Sequence, residues 1–271
     1  DNIQVQRGVG TSSNGAGAFG ASVNMQTKNP EREPFAEIST AAGSFNTFKN
    51  TITAGTGLIS DKFSFQLRHS VLKSDGYIRR TGSDNNAISL SGIYKTDRSL
   101  VKINFMSGSE RTGISWWGVP QEMLEKDRRY NPAGEYTDEN GTTRFYDNET
   151  DNYRQNLIQL IWSRSISNSL SFHYALHYTR GEGFYEEYRE DQAFSKYGLQ
   201  PVLISQAEQT TTDLIRRKWM KNDFYGVVYS VNYKKKRIEA VVGGGMNNYL
   251  GDHFGRLQWM QYNAGTEKDH Q

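Results

Sequence analysis

The fold is decided by the stretch KFSFQLRHSVLK at residues 62–73, in which apolar and polar side chains alternate almost without a break. Phe63 and Phe65 fall on one side of this pattern, and Ser64 and Gln66 fall on the other. A period of two residues is typical of a β-strand with one apolar and one polar face. On a helix the same apolar residues would be spread around the whole circumference, so a helical interpretation fails.

Eight further stretches repeat the alternation with varying regularity. The clearer ones are residues 86–95, 153–164, 169–179 and 222–233. The less regular ones are residues 35–43, 47–57, 99–107 and 237–249. From residue 34 onward the sequence therefore predicts nine strands.

The connections between these strands are of two kinds. Tight turns are predicted at residues 58–61, 96–99, 165–168 and 234–237. The other links fall at residues 44–46, 74–85, 108–152, 180–221 and from 250 onward. Short connections on one side and long ones on the other are typical of bacterial outer-membrane barrels. A soluble β-sandwich would show shorter and more even spacing.

Composition narrows the possible functions. The formal net charge of +2 gives no strong attraction to nucleic acid. A mean hydropathy of −0.75 still fits a membrane barrel, because a barrel strand shows lipid only every second side chain. Cysteine is absent, which excludes disulfides and thiolate metal sites. No catalytic constellation can be assembled from local spacing, so we expect neither an enzyme nor a cofactor.

A glycine-rich opening precedes the strands. It contains Gly8, Gly15 and Gly20 between two short alternating stretches, around Ile3 and Val23. A flexible linker is one interpretation, although the alternation favours strands. A phosphate loop is another, but no lysine follows these glycines as that motif requires.

The opening resembles the end of the plug domain of TonB-dependent outer-membrane receptors. The matching positions are Ile3, Val5, Arg7, Gly8, Gly15, Ala18, Gly20, Val23, Asn24 and Thr27. The departures are Val9, Asn14 and Ala21, where the family usually has Pro, Tyr and Gly. The loop sequence from Thr112 to Pro120 is further similar to iron-chelate receptors of Bacteroides-type bacteria.

The resemblance implies an all-β fragment with two parts. Residues 1–30 would be the C-terminal part of the plug, and residues 34–271 the first part of an antiparallel transmembrane β-barrel of about 22 strands, cut at both ends. It also implies an integral outer-membrane protein that takes up a ferric siderophore, ferric citrate or haem. The partners would be TonB with its inner-membrane energising complex, outer-membrane lipid and, in some members, a surface lipoprotein. A glycan importer of the starch-utilisation type and a passive porin or structural barrel are the alternatives.

Arg7 is the charged residue of the opening that the resemblance singles out. In the family the matching arginine pairs with glutamates of the inner barrel wall and so holds the plug. A buried charge is costly unless it is paired, so such pairs can act as a latch. A solvated arginine in a water-filled lumen is the alternative interpretation.

The link at 108–152 carries the ligand-binding candidates. These are Trp116, Trp117, Arg128, Arg129 and Tyr130. Aromatic rings and guanidinium groups suit a flat, anionic chelate through stacking and paired hydrogen bonds. The alternative is that the two tryptophans only pack the loop onto itself.

Two further groups of residues are candidates for metal binding, and each also has a simpler interpretation. Glu182, Glu186, Glu187, Glu190 and Asp191 form an acidic cluster that could bind calcium, but no calcium-loop spacing is present, so a solvated acidic loop is expected. His173 and His177 lie roughly 13 Å apart along a strand, too far to chelate one ion. They are expected to line the lumen.

Overall fold

The computed structural model describes residues 2–8, 20–26, 31–263 and 269–270. Strand β1 (Asn2–Arg7) pairs antiparallel with β2 (Ala21–Gln26) as a separate two-stranded sheet. Gly15, Ala18 and Thr27 of the glycine-rich opening lie outside the described residues.

The nine strands expected from the sequence form one antiparallel sheet, with each strand beside its sequence neighbour in the sheet. In chain order the elements are β3 (Phe35–Gly43), β4 (Thr47–Gly55), β5 (Phe63–Ser74), β6 (Ser83–Lys95), β7 (Ser99–Gly113), α1 (Gln121–Lys126), β8 (Glu135–Thr137), β9 (Thr143–Phe145), β10 (Thr150–Ser167), β11 (Leu170–Ala193), a 3-10 helix (Phe194–Tyr197), β12 (Val202–Ile204), β13 (Ala207–Gln209), β14 (Thr211–Lys235), β15 (Ile238–Met260) and β16 (Asp269–His270). The pairs β8–β9 and β12–β13 are separate hairpins, and β16 adds to the edge of the main sheet beside β15.

The tight turns are confirmed, since only residues 168–169 separate β10 from β11 and only 236–237 separate β14 from β15. One of the long links is much shorter than expected. The region 180–221, expected to be a loop, is largely strand, because β11 runs on to Ala193 and β14 starts at Thr211. The prediction failed here because both faces of the extended hairpin carry polar and aromatic residues, so no apolar alternation marks the strand.

One face of the sheet is apolar over a band several strands wide. Phe105, Ile158, Tyr178 and Tyr225 are successive register partners across four strands. Leu160, Leu176 and Val227 form a parallel row next to them. We call this side the apolar face. Its side chains are solvent-exposed in the chain, as Ile103 at 53% illustrates.

The opposite side, the polar face, is linked by side-chain hydrogen bonds across strands. Ser91 Oγ donates to Asn104 Oδ1 at 2.9 Å, and Asn104 Nδ2 donates to Gln159 Oε1 at 3.3 Å. His173 and His177 lie on this side, and His173 Nδ1 is 2.9 Å from Ser163 Oγ. Among the described residues, no helix is long and apolar enough to cross a membrane. A continuous antiparallel sheet with an apolar and a polar face is consistent with the wall of a β-barrel, here present in part.

An added charge is expected to lower the free energy of unfolding by different amounts on the two faces. We expect Leu176→Lys, in the middle of the apolar face, to lower the free energy of unfolding from a bilayer by about 2–4 kcal/mol, because the ammonium group must enter hydrocarbon. The matched control is Gln159→Lys at the same height on the polar face, which should cost much less. Denaturant titration of the full-length protein in lipid measures both. Equal losses for the two variants would contradict the assignment of the faces.

Candidate functional site

The candidate site is built on the segment from Ile114 to Glu149, which leaves the sheet at the end of β7 and returns at β10. We call it the 114–149 loop. At its start, a Cβ on Gly113 would lie 1.8 Å from the carbonyl oxygen of Arg80. Only glycine allows this approach, which brings the loop against the β5–β6 connection.

Asn131 is the buried polar centre of the loop. Its Nδ2 donates to the carbonyl oxygens of Arg79 and Ile114, each at 2.9 Å. Its Oδ1 accepts from the backbone N–H of Ala133 at 3.1 Å. One side chain therefore satisfies three backbone groups and ties the start and the middle of the loop to the β5–β6 connection.

Arg80 reaches from the β5–β6 connection into the loop. Its guanidinium donates to the carbonyl oxygens of Asn131 and Ala133, and lies 3.9 Å from the centre of the Phe145 ring. Burial lowers the pKa of Arg80, while nearby acidic groups, Asp147 foremost, oppose the shift. The residue stays a cation, so it contributes charge-assisted hydrogen bonds and a cation–π contact to the packing.

The acidic cluster lies in β11 and not in a loop, and two of its members are buried, which corrects the expectation from sequence. Glu186 and Glu187 are only 2% and 5% exposed. Glu186 accepts from Arg217 Nε at 2.6 Å and also from Tyr146 and Asn148 of the 114–149 loop. Burial opposes ionisation of Glu186, but the hydrogen bonds from Tyr146, Arg217 and Asn148 prevail and lower its pKa. The carboxylate therefore fastens the loop to the extended hairpin.

Glu187 makes the equivalent contact on the other side of the hairpin. Arg216 Nε and Nη2 each donate to its Oε2 at 2.8 Å, a two-pronged ion pair, and Arg189 Nη2 lies 3.8 Å from its Oε1. The pKa of Arg216 is raised because these contacts outweigh its burial. Since both carboxylates are used in this way, they are not free to bind calcium. No group of acidic or histidine side chains suited to a metal ion occurs in the part of the chain that the structure describes.

The two tryptophans pack against β11 and not only against their own loop. Trp116 meets Tyr185 edge to face, with ring centres 5.1 Å apart. Arg189 lies over Trp117 at 5.0 Å, and Lys218 lies over Tyr185 at 5.5 Å. Tyr185 and Lys218 are register partners on the polar-face side of the hairpin. We call these five residues the aromatic–cationic cluster.

This cluster leaves its rings open on one side. Trp116 is 58% exposed and Trp117 is 40% exposed, although tryptophan is normally well buried. The cations above the rings come from β11 and β14, with the charge of Arg189 partly balanced by Glu187. Such an arrangement can stack against a flat ligand and attract negative charge.

The remaining ligand-binding candidates are Arg128, Arg129 and Tyr130. The contacts of Arg129 and Tyr130 are with residues other than the tryptophans. Arg129 Nε donates to the carbonyl oxygen of Tyr77 at 2.7 Å, and its guanidinium lies 5.3 Å from the Phe45 ring. Tyr130 donates to a carboxylate oxygen of Glu135, and burial together with this bond raises the pKa of Tyr130 to about 12. Arg128 is exposed. The guanidinium over Trp117 therefore belongs to Arg189, which the local spacing could not indicate.

Glu149, the last residue of the loop, is a second position that sequence reasoning missed. It is 5% exposed, and its Oε2 has no hydrogen-bond partner in the described part of the chain. Burial, followed by the nearby Glu187 carboxylate, raises its pKa to about 7, against the opposing effects of Arg189 and the backbone N–H groups of Tyr188 and Gly134. Its neighbours in sequence give no signal of this, because the burial is created by β11. Arg7, at the end of β1, is exposed.

Comparison with known proteins relates the chain to a group of solved structures. No family model matches the sequence, and no curated protein is similar to it. The ferric preacinetobactin receptor BauA of Acinetobacter baumannii matches 93% of the chain with a TM-score of 0.69 at 16% identity. The siderophore receptor PiuA of the same organism matches 97% with a TM-score of 0.67 at 13% identity. The copper transporter OprC matches 99% with a TM-score of 0.66 at 12% identity.

These similarities establish the fold. At such identities, the shared feature is the barrel wall and not any particular binding residue. The chain corresponds to 36%, 38% and 35% of the length of these three proteins. It therefore spans about a third of the structures it resembles.

The raised pKa of Glu149 predicts a pH dependence of the loop. A carboxyl whose pKa is higher folded than unfolded stabilises the fold fully below its ordinary value near 4.5, and this contribution is lost as pH rises through about 7. We expect Glu149→Gln to strengthen loop packing at pH 8 by roughly 1–2 kcal/mol, and to have little effect at pH 4.

The measurement is hydrogen exchange of the amides of Ile114 and Tyr188 between pH 4 and 8, corrected for the intrinsic rate. The Ile114 amide lies where the loop meets the sheet, and the Tyr188 amide lies beside the Glu149 carboxyl. The control is Glu125→Gln on the exposed helix α1, which should leave the profile unchanged. A Glu149→Gln profile that follows the unmodified protein would contradict the prediction.

Proposed function

We propose that the chain is a section of a TonB-dependent outer-membrane receptor that takes up a scarce metal chelate. The observation that supports this most is the sheet itself. Its fold is similar, over 93% of the chain, to that of the ferric preacinetobactin receptor BauA. The apolar face would contact outer-membrane lipid, and the polar face would line the lumen.

The alternation of short turns and long connections supports one orientation of the chain relative to that membrane. The short turns would lie in the periplasm, and the 114–149 loop and the extended hairpin of β11 and β14 would lie outside the cell. Residues 1–30, including the β1–β2 hairpin, would end the plug, and residues 34–271 would belong to the barrel. Since most long connections then share one side, the ligand would first meet the 114–149 loop.

The aromatic–cationic cluster is the proposed ligand contact. Trp116 and Trp117 offer exposed ring faces, and Arg189 and Lys218 add positive charge beside them. A ferric siderophore, ferric citrate or haem combines negative charge with flat or compact groups that suit this surface. Arg128, Arg129 and Tyr130 would form a second contact beside the β5–β6 connection.

Uptake would need partners beyond this chain. TonB and its inner-membrane energising complex would supply the force that moves the plug, and a surface lipoprotein is a further candidate partner. In this proposal the protein is a transporter and catalyses no covalent chemistry. Nucleic acid is not among the expected partners, given a net charge of only +2.

Removal of a tryptophan tests the ligand contact. We expect Trp117→Ala in the full-length receptor to weaken binding of a ferric chelate by about 1–3 kcal/mol, because an exposed ring and its cation–π contact with Arg189 are lost. Ferric catecholate, ferric citrate and haem are the probes, with equilibrium binding in detergent and uptake by iron-starved cells as readouts.

The matched control is Trp259→Ala. Trp259 is 45% exposed and stacks on Tyr188 on the other side of the hairpin, so this variant should bind normally. Uptake that depends neither on the iron supply nor on TonB would favour a passive barrel. Binding of oligosaccharides in place of all three iron probes would favour a glycan importer.

Arg7 is proposed as the plug latch and is tested separately. We expect Arg7→Ala to loosen the plug and to raise cell sensitivity to large antibiotics that normally cannot pass, because ion pairs with the barrel wall are lost. Minimal inhibitory concentrations measure this, and Arg7→Lys, which keeps the charge, should restore most of the barrier. Unchanged sensitivity in Arg7→Ala would identify Arg7 as a solvated residue.

A further inference from the structure

Glu149 is a buried carboxyl that lies between the 114–149 loop and β11. It accepts hydrogen bonds from the backbone N–H of Gly134, in the loop, and from that of Tyr188, in β11. Its Oε2 is buried and has no hydrogen-bond partner among the residues that the structure describes. A carboxylate offers about four lone-pair sites, so a buried oxygen without a donor disfavours the ionised form.

The charged groups around Glu149 come from β11, β14 and the β5–β6 connection. From β11, the Glu187 carboxylate opposes ionisation of Glu149, and the Arg189 guanidinium favours it. From β14, Arg216 holds Glu187 at 2.8 Å, more closely than Arg189 does at 3.8 Å. From the β5–β6 connection, Arg80 faces Glu149, but this cation is also balanced by three residues of the loop, Asp147, Tyr130 and Glu135.

Arg189 connects this group of charges to the aromatic–cationic cluster. Its guanidinium lies 5.0 Å from the centre of the exposed Trp117 ring. Because the neighbouring Glu187 is paired mainly with Arg216, the charge of Arg189 is only partly balanced while Glu149 is neutral. Tyr188, which donates to the Glu149 carboxyl, is next to Arg189 in the chain. A negative charge on Glu149 would therefore arise close to Arg189.

We propose that binding of an anionic ligand to the aromatic–cationic cluster is coupled to the uptake of one proton by Glu149. With Glu149 neutral, Arg189 presents positive charge beside Trp117 and attracts the anion. With Glu149 ionised, the carboxylates of Glu149 and Glu187 together offset Arg189 and Arg216, so the anion binds less tightly. The proton comes from water, and only an O–H bond is formed.

The coupling is reciprocal, because a bound anion must favour the protonated carboxyl by the same factor as the proton favours the anion. Burial, followed by the charge of Glu187, raises the pKa of Glu149 to about 7. The affinity for an anion is therefore highest below this value and falls as pH rises through it. The coupling rests on the proposed function, which supplies the anionic chelate as the ligand.

The first test compares the full-length receptor with its Glu149→Gln variant, whose side chain cannot ionise. The Kd of ferric citrate is measured for both proteins in detergent at pH 5.5, 7 and 8.5. The ratio of the two values at each pH removes the titration of citrate itself. We expect equal affinities at pH 5.5, and binding by the unmodified protein that is roughly three- to tenfold weaker than that of the variant at pH 8.5.

The second test needs no chelate, because iodide serves as a small anionic probe. Iodide and neutral acrylamide both quench exposed tryptophans, and the part due to Trp116 and Trp117 is the difference from a Trp116→Phe/Trp117→Phe variant. The ratio of the two quenching constants reports local charge, since opening of the loop admits both quenchers. We expect this ratio to fall between pH 5.5 and 8.5 in the unmodified protein and to stay constant in Glu149→Gln.

Glu125→Gln, on the exposed helix α1, is the matched control and should behave as the unmodified protein in both tests. An affinity ratio that stays the same from pH 5.5 to 8.5 would overturn the coupling while leaving the transport function in place. A quenching ratio with the same pH profile in Glu149→Gln as in the unmodified protein would overturn it too. If neither protein binds ferric citrate or another ferric chelate at any pH, the proposed function fails, and the quenching ratio alone decides the coupling.

Discussion

The structure depends on the satisfaction of main-chain hydrogen bonds between neighbouring strands. In the lipid environment proposed for the apolar face, no water is present to bind a free N–H or C=O group, so every such group needs a partner within the protein. The antiparallel pairing from β3 to β15 meets this demand within the main sheet, strand against strand. Each strand is connected to its direct neighbour in the sheet. Short turns are therefore enough at one end of the strands, and the longer connections lie at the other end.

The same pairing continues well past the apolar band and becomes a support for the site. Above that band β11 and β14 are paired from Gly181 to Ala193 and from Thr211 to Asn222, so side chains there are held by a ladder and not by a flexible loop. The 114–149 loop is fixed to this support mainly by polar contacts. Asn131, Glu186 and Arg80 hold it through hydrogen bonds, whereas the buried apolar cluster around Phe194 and Leu214 packs at the hairpin tip.

A single extended hairpin thus presents two different surfaces. Odd-numbered residues of β11, such as Tyr185 and Arg189, accompany the tryptophans of the loop, and even-numbered ones, such as Phe184 and Glu186, lie on the opposite side. Both surfaces combine aromatic rings with cations, because ring faces and cations attract each other even where water is close. The two surfaces differ in position, because one side continues the polar face and the other continues the apolar face.

The sequence by itself determined the tight turns, the two faces and the nine strands along their apolar parts, because a period of two residues is a property of one strand and can be read along the chain. It also marked Trp116 and Trp117 as unusual. Only the tertiary structure decided that Arg189 meets Trp117, that Glu186 and Glu187 are buried in ion pairs, and that Glu149 resists ionisation. Those contacts join residues about 30 to 70 positions apart, and their partners are chosen by cross-strand register and loop packing, which no local spacing encodes.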